Sequence, residues 1–121
     1  MATVLVIDDD EEQRTLLKAM LTSVGLRVEE ASDGAEGPKA FGRHKPDLVL
    51  TDINMPGLDG HDVISALRVN HPNVPVIAIS GGSAVPKDEL LLHASRLGAT
   101  EVIMKPFAFE QLKGAVARAL S

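Results

Sequence analysis

Residues 46–60 read Pro46-Asp47-Leu48-Val49-Leu50-Thr51-Asp52-Ile53-Asn54-Met55-Pro56-Gly57-Leu58-Asp59-Gly60. Leu48, Val49 and Leu50 form a short apolar run, the pattern of a strand buried on both faces. The run stops at Asp52, and a turn rich in Gly and Pro follows. A carboxylate that closes a buried strand and faces a loop sits where open α/β sheets take their ligands. It is equally where an aspartate steadies a turn by accepting loop amides. The role of Asp52 therefore depends on what the other strand ends carry.

Upstream, Val4-Leu5-Val6-Ile7 is a second buried-strand pattern, ending at Asp8-Asp9-Asp10. Glu11 opens a helix with Leu16, Leu17, Met20, Leu21 and Val24 at helical spacing. Asp10 and Gln13 resemble a capping box, and Gly25 is a natural stop. The polar run Arg27 to Ala31 suits an edge strand. A helix is expected over Ala35 to His44, with a start made irregular by Gly37-Pro38, and the third strand over Asp47 to Thr51. Downstream come a helix from Asp59 to about Val69, with Val63, Ile64 and Leu67 inward, and a strand from Val74 to Ile79. The loop Ser80-Gly81-Gly82-Ser83 follows, then a helix over Lys87 to Leu97. A strand over Glu101 to Met104 and a helix over Ala108 to Leu120 complete the chain. Phe109, Leu112, Val116 and Leu120 share one face of that last helix.

Five strands alternating with five helices predict a parallel sheet covered on both faces. Right-handed crossovers put every strand-to-helix loop at the same sheet edge. Asp8 and Asp9, Asp52, Ser80 and Lys105 should therefore meet along one rim.

Composition narrows the classes. A chain of 121 residues, 45% of them apolar, supports one packed domain. With three Phe, no Trp and no Tyr, the core must be aliphatic. No Cys is present, so there is neither a disulfide framework nor a thiolate metal site. Twelve basic against seventeen acidic residues give a net charge of −5, which argues against a nucleic-acid surface. No apolar run is long enough to span a bilayer, and Met1-Ala2-Thr3 lacks the start of a secretion signal. The expectation is a cytoplasmic domain with no membrane partner.

The rim residues form a chemical set. Three carboxylates about 4 Å apart repel by roughly 4 kcal/mol per pair at an effective dielectric near 20. Folding stability totals only about 5–15 kcal/mol. Either one carboxyl keeps its proton or a cation binds. Hard oxygen ligands in a partly wet site suit Mg²⁺, which favours sharing a phosphate. One carboxylate is then available as a nucleophile toward a phosphoryl group. Such transfer depends mainly on charge neutralisation, for which Lys105 offers a point charge and Ser80 a hydroxyl. Gly81-Gly82 lets the backbone approach closely or move. Taken singly, each residue has a plainer reading: a surface lysine, a turn serine, acidic residues favoured at a helix N-terminus.

Together, Val4-Leu5-Val6-Ile7-Asp8-Asp9, Asp52 with Met55-Pro56-Gly57-Leu58-Asp59-Gly60, Ser80 and Lys105-Pro106-Phe107 resemble the receiver domain of bacterial two-component response regulators, over residues 1–121. The resemblance implies a flavodoxin-like doubly wound (βα)5 fold, a five-stranded parallel sheet in the order 2-1-3-4-5. It implies that Asp52 is the phosphoacceptor, served by a sensor histidine kinase or a phosphotransfer protein. Asp8, Asp9, Asp52 and the backbone carbonyl of Asn54 would hold Mg²⁺ or Mn²⁺, with Asp8 acting largely through water. Lys105 would bind the phosphoryl group, Ser80 would be the switch hydroxyl, and Lys105-Pro106 would be cis. The domain would be a signalling module that slowly dephosphorylates itself, not an enzyme proper. Its output surface would lie around the helix over Lys87 to Leu97, the fifth strand and the last helix, and would serve an output partner or a phosphorylation-dependent homodimer.

Two positions depart from the family pattern. Val102 stands where a Tyr or Phe is usual, so no large ring can swing to read Ser80. Gly81, backed by Gly82, stands where Ala is common, which points to signalling through a more mobile loop. Leu90-Leu91-Leu92 exceeds what one helix face can bury and suits either a partner surface or an isolated exposed leucine. A haloacid-dehalogenase-type phosphatase would need an Asp at position 54, where Asn54 cannot donate a proton. A flavodoxin's phosphate loop would be repelled by Asp8-Asp9-Asp10. The alternative within the family is a receiver-like interaction module that is never phosphorylated. His44, His61, His71 and His93 lack ligand spacing.

Overall fold

Alternation within each apolar run sets the layers of the molecule. In the computed structural model, which describes residues 2–53, 55, 60–81, 95–96 and 98–121, strand β1 (Thr3–Ile7) buries Val4 through Ile7 completely. Val4 and Val6 face one side of the sheet, Leu5 and Ile7 the other. The first side is covered by α1 (Glu11–Ser23) through Leu17 and Leu21 and by α4 (Phe109–Ala119) through Leu112, Ala115 and Val116. The second is covered by α2 (Glu36–His44) through Ala40 and Phe41, and by α3 (Gly60–Asn70) through Val63, Ile64 and Leu67.

The strands β2 (Arg27–Ala31), β3 (Leu48–Asp52), β4 (Val76–Ser80) and β5 (Glu101–Met104) pair in parallel with β1 in the order β2-β1-β3-β4-β5. The central strands β1, β3 and β4 are buried, whereas β2 lies at an edge and exposes charged residues, as its polar sequence predicts. Of the helix expected over Lys87 to Leu97, only Ser95 and Arg96 are described, and both are helical; Leu90-Leu91-Leu92 and His93 lie outside the described residues.

Several expectations are corrected. Leu16 and Val24, though at helical spacing with the core residues, are 50% and 41% exposed, because α1 meets the sheet along Leu17, Leu21 and the half-buried Met20. The third strand ends on Asp52, not Thr51, and the fourth begins after Pro75 and ends on Ser80. Pro75 has no N–H to donate, but its carbonyl accepts from Val49 at 3.0 Å. Asp10 caps α1 by accepting from the amides of Glu12 and Gln13. The reciprocal half of the capping box is replaced, since the Asp10 amide donates to Asp8 Oδ1 at 2.9 Å. Gly25, at φ +86°, ends α1 as expected.

Helix α2 starts at Glu36, and Gly37 in its first turn is a packing requirement. A Cβ there would lie 2.8 Å from Ile7 Cδ1, a fully buried methyl. Gly42, in the same helix, has nothing within 4 Å of its Cβ position. The two alanine substitutions should therefore have opposite signs. Gly42→Ala gains helix propensity, about 0.5–1 kcal/mol of stability. Gly37→Ala gains the same but must overpack the core at about 1–3 kcal/mol, for a net loss. Urea denaturation of both variants measures the pair; stabilisation by both would refute the packing account.

Candidate functional site

Four strand ends carry the site. Asp8 directly follows β1, and its amide donates to the Ala31 carbonyl of β2 at 3.1 Å. Asp52 and Ser80 are the last residues of β3 and β4, 4% and 5% exposed. Lys105 directly follows β5; its amide donates to the Ser80 carbonyl at 2.8 Å, and the Lys105-Pro106 bond is cis as expected. The Lys105 side chain runs across the rim to place Nζ 2.9 Å from Asp52 Oδ2.

One carboxylate oxygen from each of Asp8, Asp9 and Asp52 lies within 4.8 Å of the others. Asp8 is fully buried, while Asp9 is exposed at the rim. Asp8 Oδ1 is used by the Asp10 amide, but its buried Oδ2 has no hydrogen-bond partner among the described residues. An orphaned buried oxygen of this kind calls for an explanation. Burial is the main force pushing the Asp8 carboxyl up to about 6, opposed by the Asp10 amide, with repulsion from Asp52 adding to it. An orphaned carboxylate oxygen beside two further carboxylates is a donor set that fits a hard divalent cation such as Mg²⁺ or Mn²⁺.

Of the other residues named from sequence, Val102 is buried in β5, opposite Ala78 of β4. Gly81 sits directly under the Lys105 side chain. Asn54 and Gly82 lie outside the described residues. Of the histidines, His71 stacks on Phe41 and His44 lies 3.5 Å from Glu29.

One contributor was not singled out in the sequence. Arg14 donates from Nη1 to the Asp8 carbonyl at 2.7 Å, and its Nε lies 3.5 Å from Glu30 Oε1. Its position, one turn beyond the Asp10 cap on a helix whose side chains lean back toward the N-terminus, was the available signal. Beside Lys105, a groove of about 620 Å³ is lined by Gln13, Leu16, Met20, Gly81, Pro106 and Phe107.

The chain belongs to the response regulator receiver domain family, which it matches over residues 4–117. Receiver domains are signalling domains of two-component systems and generally use Mg²⁺ at their acidic pocket. The chain is 39% identical over 109 residues to the transcriptional regulatory protein PrrA of Mycobacterium tuberculosis, covering 90% of this chain and 46% of that protein. It is 37% identical over 114 residues to the probable chemotaxis protein CheY of Rhizobium etli, covering 93% of this chain and 88% of that one. Among solved structures, the response regulator TrrA of Thermotoga maritima, in complex with Mg²⁺-BeF, superposes with a TM-score of 0.85 at 32% identity, covering 99% of this chain and 100% of that one. This chain thus spans under half the length of PrrA and most of the length of CheY. Among the described residues, no helix is long and apolar enough to cross a membrane.

Proposed function

We propose that residues 1–121 form one phosphoacceptor receiver in which Asp52 takes a phosphoryl group from a phosphohistidine of a sensor kinase or phosphotransfer protein in the cytoplasm. The observation that carries this reading is the pairing of Asp52 with Lys105 at 2.9 Å beside the orphaned oxygen of Asp8. An Asp52 carboxylate oxygen attacks phosphorus, the phosphorus–nitrogen bond of the donor breaks, and the imidazole leaves with the electron pair. Lys105 stays within reach of the transferred oxygens and offsets their charge. A bound Mg²⁺, held by Asp8, Asp9 and Asp52 with the Asn54 carbonyl, would supply further neutralisation of the phosphoryl oxygens. Self-dephosphorylation is the attack of water on the same phosphorus, which returns the Asp52 carboxylate and releases orthophosphate. Ser80, at the end of β4, is the hydroxyl that would meet the phosphoryl group. The groove beside Lys105, with exposed Leu16 on its wall, would seat an apolar face of the donor.

The output side of this reading takes in residues 87–97, β5 and α4, with buried Val102 of β5 in place of the usual ring. Readout would then run through the loop that Gly81 opens. The test is intact-mass spectrometry after incubation with acetyl phosphate, with and without Mg²⁺, on the wild type and Asp52→Asn. One Mg²⁺-dependent phosphate adduct, absent from the variant, is expected. No adduct under any of these conditions would favour a receiver-like interaction module that is not phosphorylated.

A further inference from the structure

The Lys105 backbone cannot retreat from the rim, because its amide is tied to the Ser80 carbonyl at 2.8 Å. Its side chain must therefore cross residue 81 to reach Asp52. A Cβ built on Gly81 would lie 3.0 Å from Lys105 Cδ, 3.6 Å from Cβ and 3.7 Å from Cγ. Three successive carbons of the lysine stem thus lie against the bare face of Gly81. The first distance is tighter than most real Cβ contacts, so a Cβ at 81 makes the stem give by a few tenths of an ångström and a larger side chain has to displace it.

We propose that Gly81 is a positioning residue for phosphoryl transfer: the space above it, which admits a methyl group at most, is the path by which Lys105 reaches Asp52. This rests on the phosphoacceptor reading above. Alanine asks the stem to give by a few tenths of an ångström, and a branched residue asks for more. Misplacing a catalytic group by about 1 Å can cost roughly 100-fold. Alanine, common at this position in the family, should change phosphoryl uptake by about 3-fold at most, and Gly81→Val should slow it by about 30-fold or more.

The experiment is a double-mutant cycle on uptake from acetyl phosphate, crossing Gly81→Ala and Gly81→Val with Lys105→Met. A nitrogen-15 NMR measurement of the Lys105 ammonium signal accompanies it, assigned by its loss in Lys105→Met. If Gly81 acts through the lysine, Gly81→Val slows the parent protein far more than Gly81→Ala does, and neither adds anything in the Lys105→Met background. The ammonium signal should also shift or broaden in Gly81→Val while the melting temperature stays within a few degrees of the parent. Equal slowing in both backgrounds, which would mean a blocked donor or a disturbed loop, overturns the proposal, as does an unchanged rate in Gly81→Val. If the parent takes up no phosphate, the phosphoacceptor reading fails. The ammonium signal then decides the positioning role alone, and an unchanged signal in Gly81→Val overturns it.

Discussion

In metal-free buffer at pH 8, Asp8→Asn should be more stable than the parent protein, and at pH 4 the two should be nearly equal. The Asp8 carboxyl is raised from 3.8 to about 6, first by burial. A raised pKa means that the folded state holds this proton more tightly than the unfolded chain does. The resulting contribution is fully present below pH 3.8 and is lost as pH rises through about 6. The interval from 3.8 to about 6 corresponds to about 3 kcal/mol. Asparagine removes this liability. Its side-chain oxygen can keep the bond from the Asp10 amide, and its NH₂ replaces the orphaned oxygen with donors facing two carboxylates. For a domain of this size the advantage at pH 8 is about 10 °C in melting temperature. Added Mg²⁺ should narrow the gap, and reverse it above roughly 150 times its dissociation constant, since ligand binding to the native state stabilises the protein that binds it better. Thermal melts from pH 4 to 8, with EDTA or Mg²⁺, measure all of this. Parallel curves for the two proteins across that range would refute the account of Asp8.

The same residue shows where sequence reading stops. The run Asp8-Asp9-Asp10 placed three carboxylates at one strand end, but not which would go inward. The structure divides them: Asp8 is buried, Asp9 is exposed, and Asp10 caps α1. The cap was legible from the spacing of Asp10 and Gln13, but the division between Asp8 and Asp9 follows from how β1 meets α1 in three dimensions, which no spacing encodes. The parallel sheet and its common rim were legible because four apolar runs and one polar edge run alternate with helical ones, and each apolar run gives way to a polar residue, Asp8, Asp52, Ser80 or Lys105. The 2.9 Å pair between Asp52 and Lys105 joins residues 53 apart in the chain, and crossover geometry alone implied their proximity. Leu16 and Val24 share the helical spacing of Leu17 and Leu21 and are nonetheless exposed. Helical spacing says which residues share a stripe, but not how wide a stripe the sheet covers. Arg14 was overlooked because an arginine on an amphipathic helix looks like solvent-facing charge until its backbone acceptor is known.

Replacing Lys105 with methionine should move two measurements in opposite directions. Lys105 Nζ is 2.9 Å from Asp52 Oδ2, so it offsets part of the charge of the three-carboxylate cluster. In phosphoryl transfer that ammonium faces the oxygens of the moving group, and losing one such preorganised donor typically costs about 100–1,000-fold in rate. In the resting protein the same ammonium repels a divalent cation held by the cluster. At a few ångströms and near-water dielectric, that repulsion is on the order of 1–2 kcal/mol, so Lys105→Met should bind Mg²⁺ roughly tenfold more tightly. Calorimetric titration with Mg²⁺ and rapid-quench phosphorylation from acetyl phosphate give the two numbers on the same preparation. A residue that only kept the rim in shape would, on removal, weaken the metal site and slow transfer together. Tighter metal with slower transfer is the signature of a charge placed for the reaction. Weaker metal with slower transfer would reduce Lys105 to a strut between β5 and β3.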